Sequence, residues 1–389
     1  MHDLLVKGGR VIDPSQKVNG LMDVAVSGGR ISGIGPEIPC REAQEVVDAT
    51  GKIVVPGLID LHTHVYDGFL NNGANPDVVG VNQGVTTLVD GGSAGQAIFA
   101  GFPRYVMPAA RTDVYCFLHI GSFGLAALPE LRCAEEIDAA ATEALIRSEP
   151  DRILGIKLRL VGNLVAREGI AVVKTARETA GRLGLPLMVH IGDPHRQVPP
   201  SLTGEMLPLL RQGDILSHIY TGQSGGLLGE DGKVHRGLAA ARDRGVVLDV
   251  SHGMKNFTFS TARKMMDQEI FPTTVSTDIS RPSVTAYVFG LTVAMSKFLE
   301  MGLPLEDIVA MTTVHPARAA GISGRKGSLK PAMDADISIL EIRPGRWRFQ
   351  DISGGTLVVS KLIRPFLTVK AGVPVPPRYF PVPEEDLPR

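Results

Sequence analysis

Eight short apolar runs alternate with helix-forming stretches through the middle of this chain. The runs occupy residues 58–61, 86–89, 114–120, 153–160, 186–191, 215–219, 246–250 and 273–276. Helical spacing fills 134–147, 171–183, 237–244 and 260–268, while 97–110 is interrupted by Pro103 and Pro108. Strand–helix alternation predicts a parallel sheet, because a parallel neighbour needs a long crossover. Eight such units close into a (β/α)8 barrel, so the expected fold class is α/β with a TIM barrel. The 389 residues leave room for a second, smaller domain.

Both ends of the chain supply material for it. Residues 4–55 read as short strands broken by Gly8-Gly9 and Gly28-Gly29, a hairpin pattern. Beyond helices expected at 284–300 and 305–313, strand candidates return at 335–340, 356–359 and 366–369. The expected division is a small β-sandwich from 1–55 and 331–389, and a barrel from 56–330. The proline- and acid-rich stretch 374–389 reads as an extended surface arm.

Barrels of this kind carry their chemistry at the C-terminal strand ends. The first run ends in His62 and His64, which share one strand face, with Asp60 behind them. The fourth holds Lys157, the fifth ends at His190, the sixth at His218 and the eighth at Asp278. Alone, each has an ordinary explanation: a rim histidine, a snorkelling lysine, an aspartate in a turn. Together at one rim they suit divalent cations of the zinc type. Lys157 does not fit as an ammonium, since a buried positive charge beside cations is costly. A neutral amine that adds carbon dioxide becomes a carbamate, an anion able to bridge two metals.

Composition narrows the partners. A formal net charge of -1 gives no basic surface for nucleic acid. No apolar run is long enough to span a bilayer, and the N-terminus shows no basic start with an apolar core. Cys40, Cys116 and Cys133 form neither a disulfide framework nor a thiolate metal site. A cytoplasmic protein with a small-molecule substrate, and with homo-oligomers open to it, is expected.

The motif Asp60-Leu61-His62-Thr63-His64, with Lys157, His190, His218 and Asp278, resembles the binuclear metal branch of the amidohydrolase superfamily. Thr313-Val314-His315-Pro316-Ala317 and Gly327-Ser328-Leu329 resemble its closing segment, with His315 where relatives often carry Asn. The resemblance implies two divalent ions, expected to be zinc, with Lys157 as N6-carboxylysine. His62, His64, Lys157 and Asp278 would hold the more buried ion; Lys157, His190 and His218 the other. Within the superfamily, residues 62–68, 216–222 and 249–253 resemble deacetylases often labelled dihydroorotase-like. Dihydroorotases usually place Arg two residues after the histidine pair; Tyr66 stands there, which argues against that activity.

The implied chemistry is attack of a metal-bridged hydroxide on an amide or ester carbonyl, with Asp278 moving the proton. The two-residue strand repeat nominates Arg159, Gly192, Tyr220 and Ser280 beside the ligands, Arg159 to hold a substrate carboxylate. His252 and Gly253 end the seventh run and are candidate substrate contacts; His119 is a weaker one, and His195 and His235 read as surface. The expected substrate is small, anionic and acylated, for instance acetylated. A cyclic-amide hydrolase is the second reading. A mononuclear deaminase fits less well with Lys157, and a metal-free scaffold fits less well with six ligand positions filled.

Overall fold

A computed structural model of the chain describes residues 1–380 and 382; the end of the expected arm lies outside the described residues. Seven parallel strands follow in sequence order: Leu58–Thr63, Val85–Gly95, Asp113–His119, Ile153–Arg159, Leu187–His190, Ile215–Ser217 and Val247–Asp249. The eighth run forms no strand of its own. It closes the curl through single parallel bridges, Asp249 to Thr274 and Thr63 to Ile279. Side chains hold the junction: Thr274 Oγ1 donates to Asp249 at 2.6 Å, and the Thr277 N–H donates to Asp60 at 3.0 Å.

The inner face is layered. Leu61, Val89, Phe117, Met188 and Ile215 cluster as an apolar floor against Ala319 and Ala320. Two residues further along their strands from Phe117 and Met188 come His119 and His190, as a period of two requires. Gly91 and Gly92 make room beside them. A Cβ at Gly91 would stand 2.2 Å from the His62 ring, and one at Gly92 2.6 Å from Lys157 Cγ.

Outside the barrel, helices cover the strands much where the sequence places them, among them Ile170–Leu183, Gly237–Asp243 and Phe259–Met266. The long helix expected from residue 284 begins only at Leu291, because Tyr287 and Phe289 are left-handed, with φ 61° and 69°. Near Pro103, the segment Phe102–Val106 widens into a π-turn, consistent with the proline's missing donor.

Among the described residues, strands from the two chain ends join one eight-stranded sheet. Ile337–Gln350 runs antiparallel to Ile53–Pro56, which in turn lies parallel to His2–Asp13. The strand of residues 53–56 thus leads straight from this sheet into the barrel's first strand.

Candidate metal centre and substrate cavity

His62, His64, Lys157, His190, His218 and Asp278 meet at the C-terminal mouth of the barrel. Lys157 Nζ lies 3.0 Å from His62 Nε2. His64 Nε2 lies 2.9 Å from Asp278 Oδ1, and His62 Nε2 3.6 Å from the same oxygen. The rings of His62 and His218 are centred 5.3 Å apart, and those of His190 and His218 4.1 Å apart. One ligand atom each from His62, His64 and Asp278 falls within a 4.8 Å span, a group of metal-binding size.

Outer partners fix which nitrogen faces inward. His218 Nδ1 contacts the Ser251 carbonyl at 2.6 Å, and a carbonyl only accepts, so Nδ1 carries the hydrogen. Its Nε2 therefore presents a lone pair, and this buried atom has no protein partner. His190 Nε2 faces the Gly192 carbonyl at 3.3 Å, which leaves its Nδ1 lone pair free by the same logic. His62 Nδ1 lies 2.9 Å from Ser251 Oγ, whose hydroxyl donates to Asp249. That hydroxyl is spent, so His62 Nδ1 donates and Nε2 faces Lys157 as an acceptor. His64 Nδ1 rests on Ser93 Oγ at 2.9 Å, and the Ser93 N–H donates to Asp90. Outer hydrogen bonds that set tautomers in this way typify metal-binding imidazoles.

Electrostatics agree. Burial, then neighbouring positive charge, holds His62 and His190 well below the ordinary imidazole value; burial pulls His218 to about 3. They are neutral, the form that binds a cation. Burial also brings the Lys157 amine down to about 7, so much of it is unprotonated near neutrality. For Asp278, burial pushes upward, but the His64 bond prevails and keeps it an anion. Three neutral imidazoles, a deprotonatable amine and a carboxylate fit divalent cations chemically.

The backbone pays a conformational cost here. His218, Ser251 and Asp278 are all left-handed, with φ of 67°, 42° and 50°. Such positions persist for non-glycine residues when the surroundings over-determine them, and they gather at functional sites.

A cavity of about 810 Å³ opens above the cluster, with His64, His190 and Asp278 at its base. Arg159 lies on its wall, where Nη1 donates to Glu130 Oε1 at 2.8 Å. Ser280 and Asn256 also line it, and His195, exposed as its polar surroundings predict, stands on its lining too. Three nominated contacts face elsewhere. The Tyr220 hydroxyl donates to the Ile270 carbonyl at 2.8 Å within the core. His252 stacks on Phe257 and meets Lys297. The two-residue repeat holds for Arg159 because Lys157 and Arg159 share one unbroken strand. It fails at Tyr220 because the left-handed His218 ends the alternation. Gly253 backs Asp278 instead of the cavity: a Cβ there would lie 2.5 Å from Asp278 Oδ2. Tyr66 is buried, stacked on Phe102, with its hydroxyl on the Ile98 carbonyl. His119 is buried, its Nδ1 accepting from the Gly121 N–H at 2.9 Å, and His315 Nδ1 lies 2.9 Å from the Thr273 carbonyl.

Glu130, Ser93, Ser251 and Asn256 were not foreseen as site residues. Only Ser251 carried a hint, within the Asp249-Val250-Ser251-His252-Gly253 run.

Comparison with known proteins follows the same lines. A model of the amidohydrolase family matches residues 45–114 and 234–376. A deacetylase of Brucella anthropi is 32% identical over 357 residues, 91% of this chain and 87% of the relative. A crystal structure of an adenine deaminase superposes with a TM-score of 0.90 at 29% identity, covering 97% of this chain and all (100%) of that one. A crystal structure of a dihydroorotase gives 0.87 at 28% identity, covering 98% and 100%.

Proposed function

We propose that this chain, which belongs to the amidohydrolase family and is a hydrolase acting on C–N bonds, removes an acyl group such as acetyl from a small anionic substrate. The observation that carries the reading is the inward-facing lone pair of His218 Nε2, buried and unspent beside Lys157, His62 and Asp278. The deacetylase relatives support the acyl group removed. The cavity's Arg159, held by Glu130, supports an anionic substrate.

His62, His64, Lys157 and Asp278 would hold one divalent ion, and Lys157, His190 and His218 a second, with Lys157 as its carbamate and zinc as the expected metal. Such ions supply an acidified water and polarise the carbonyl oxygen. The chain's own residues do the rest. Asp278, ionised and 2.9 Å from His64 Nε2, takes the proton of the attacking water and returns it to the leaving nitrogen. Arg159 keeps further donors to seat a carboxylate while Nη1 stays on Glu130.

We assign residues 1–55 and the described residues from 331 onward to a small β domain and 56–330 to the barrel; 381 and 383–389 lie outside the described residues. We place the protein in the cytoplasm, possible homo-oligomers included; among the described residues no helix is long and apolar enough to cross a membrane. Hydrolysis of a panel of N-acyl amino acids, acetylated hydroxy acids and cyclic amides by zinc-loaded protein tests the reading. Turnover confined to the acylated acids supports it. Turnover confined to cyclic amides would replace it with a hydantoinase-type activity.

A further inference from the structure

We propose that Lys297 is a positioning residue whose buried amine ties together the two loops that flank Asp278. The inference rests on the hydrolase reading above. Lys297 sits on the helix Leu291–Glu300 and is wholly buried, its Nζ 5.2 Å from the centre of the Phe349 ring on the terminal sheet. Burying an amine costs free energy, and an apolar side chain of similar size would pack here without that cost. Its presence calls for a reason in its bonds.

One bond reaches the loop after the seventh strand. Lys297 Nζ lies 3.0 Å from His252 Nε2. His252 Nδ1 lies 3.0 Å from the Gly253 carbonyl, which only accepts; Nδ1 therefore bears the hydrogen, and Nε2 accepts from Lys297. The ring is clamped flat on Phe257, centre to centre 4.3 Å. Gly253, held in turn by its N–H on the Thr277 carbonyl at 2.9 Å, presses against Asp278 too closely for any Cβ.

The other bond reaches the loop after the eighth run. Lys297 Nζ donates to the Tyr287 carbonyl. Tyr287 and Phe289 are both left-handed, and the Phe289 N–H donates to the Ser283 carbonyl at 3.0 Å. This strained segment follows the cavity wall at Ser280 and Pro282. One amine thus braces the segments on either side of Asp278, and it touches neither substrate cavity nor proposed metal ligands.

Lys297→Met keeps the volume and removes both bonds. The expected result is a kcat lower by about tenfold or more, with KM within about twofold and thermal stability equal or higher. His252→Phe keeps the stacking and cuts one arm, so it loses less; the double variant loses no more than Lys297→Met alone. Parental kcat in Lys297→Met, or losses that multiply in the double variant, overturns the proposal. Hydrogen exchange in metal-free protein reads the same brace without turnover. The Gly253 and Phe289 amides exchange faster in Lys297→Met if the brace exists, and unchanged protection overturns it. Should the parent hydrolyse no acylated acid, the deacylase reading fails, and the exchange result alone decides this one.

Discussion

Asp278 Oδ1 lies 2.9 Å from His64 Nε2, although the two residues stand on the last and first segments of the barrel. Closure of the ring is what brings them together: the Asp278 N–H donates to the His62 carbonyl at 2.7 Å. Asp278→Asn keeps that backbone bond and the side chain's shape, but removes the proton acceptor. Its kcat should fall by about 10²–10⁴. Metal content, read by elemental analysis, should stay near the parent's. Parental turnover in this variant would remove Asp278 from the proton path.

Lys157 carries a pH signature. Burial, the largest influence on it, draws the amine down to about 7. Above that pH the neutral amine is available to carbon dioxide; below it the ammonium form dominates and does not react. Uptake of labelled bicarbonate by metal-free protein should therefore rise with pH through the neutral range. The carbamate carbon signal should be missing from Lys157→Met. A signal that persists in that variant assigns the carbamate to another amine.

Arg159 and Glu130 separate recognition from chemistry. Arg159→Met should raise KM for a carboxylate-bearing substrate by about 10- to 100-fold, the worth of a charge-assisted pair, with a smaller change in kcat. Glu130→Gln should give a milder rise, since the guanidinium keeps its charge but loses its ionic anchor. Steady-state kinetics on an acylated acid and on its neutral amide analogue check both. Equal effects on the two substrates would show that Arg159 does not read the carboxylate.

Far from the cavity, Lys326 is buried within 2.9 Å of Asp334 and 2.5 Å of both Asp113 and Asp336. Asp113 starts the third barrel strand, and Asp336 precedes the strand Ile337–Gln350 of the terminal sheet, so this lysine pins one sheet to the other. Lys326→Met leaves Lys370 alone between Asp113 and Asp336, and Asp334 to Arg30 and Arg325. It should therefore cost less than the loss of about 3–5 kcal/mol expected of a wholly unpaired buried charge, measured by denaturant unfolding near neutral pH. Burial opposes ionisation of Asp113 and Asp334, yet Lys326 holds both below the ordinary carboxyl value. Their contribution is therefore complete above that value and is lost as pH falls through their folded values. The gap between parent and variant should narrow on acidification.

The repeat of two along a strand and the alternation of strands with helices made the barrel and its six clustered residues legible. These signals are local, and the residues concerned sit where regular strands end. The eighth run is held by Thr274 and Thr277 side chains on Asp249 and Asp60, which no strand pattern announces. Tyr220 and His252 lie beyond strand ends or left-handed residues, where a spacing rule loses its meaning. Glu130 reaches Arg159 from a loop whose course depends on tertiary packing, so nothing in its neighbours reveals it. One small β domain from both chain ends was expected from the hairpin signals; the strand pairing that joins them, Ile337 with Pro56, depends on tertiary contact and was not legible.

We propose above that this barrel mouth binds two divalent cations and uses them to hydrolyse an acylated acid. One titration tests it: zinc is added stepwise to chelator-stripped protein while bound metal and hydrolysis of an N-acetyl amino acid are read together. The account predicts activity that is absent after stripping and rises to a plateau at about two equivalents per chain. Activity that survives stripping, or a stripped protein that takes up no zinc, would contradict it.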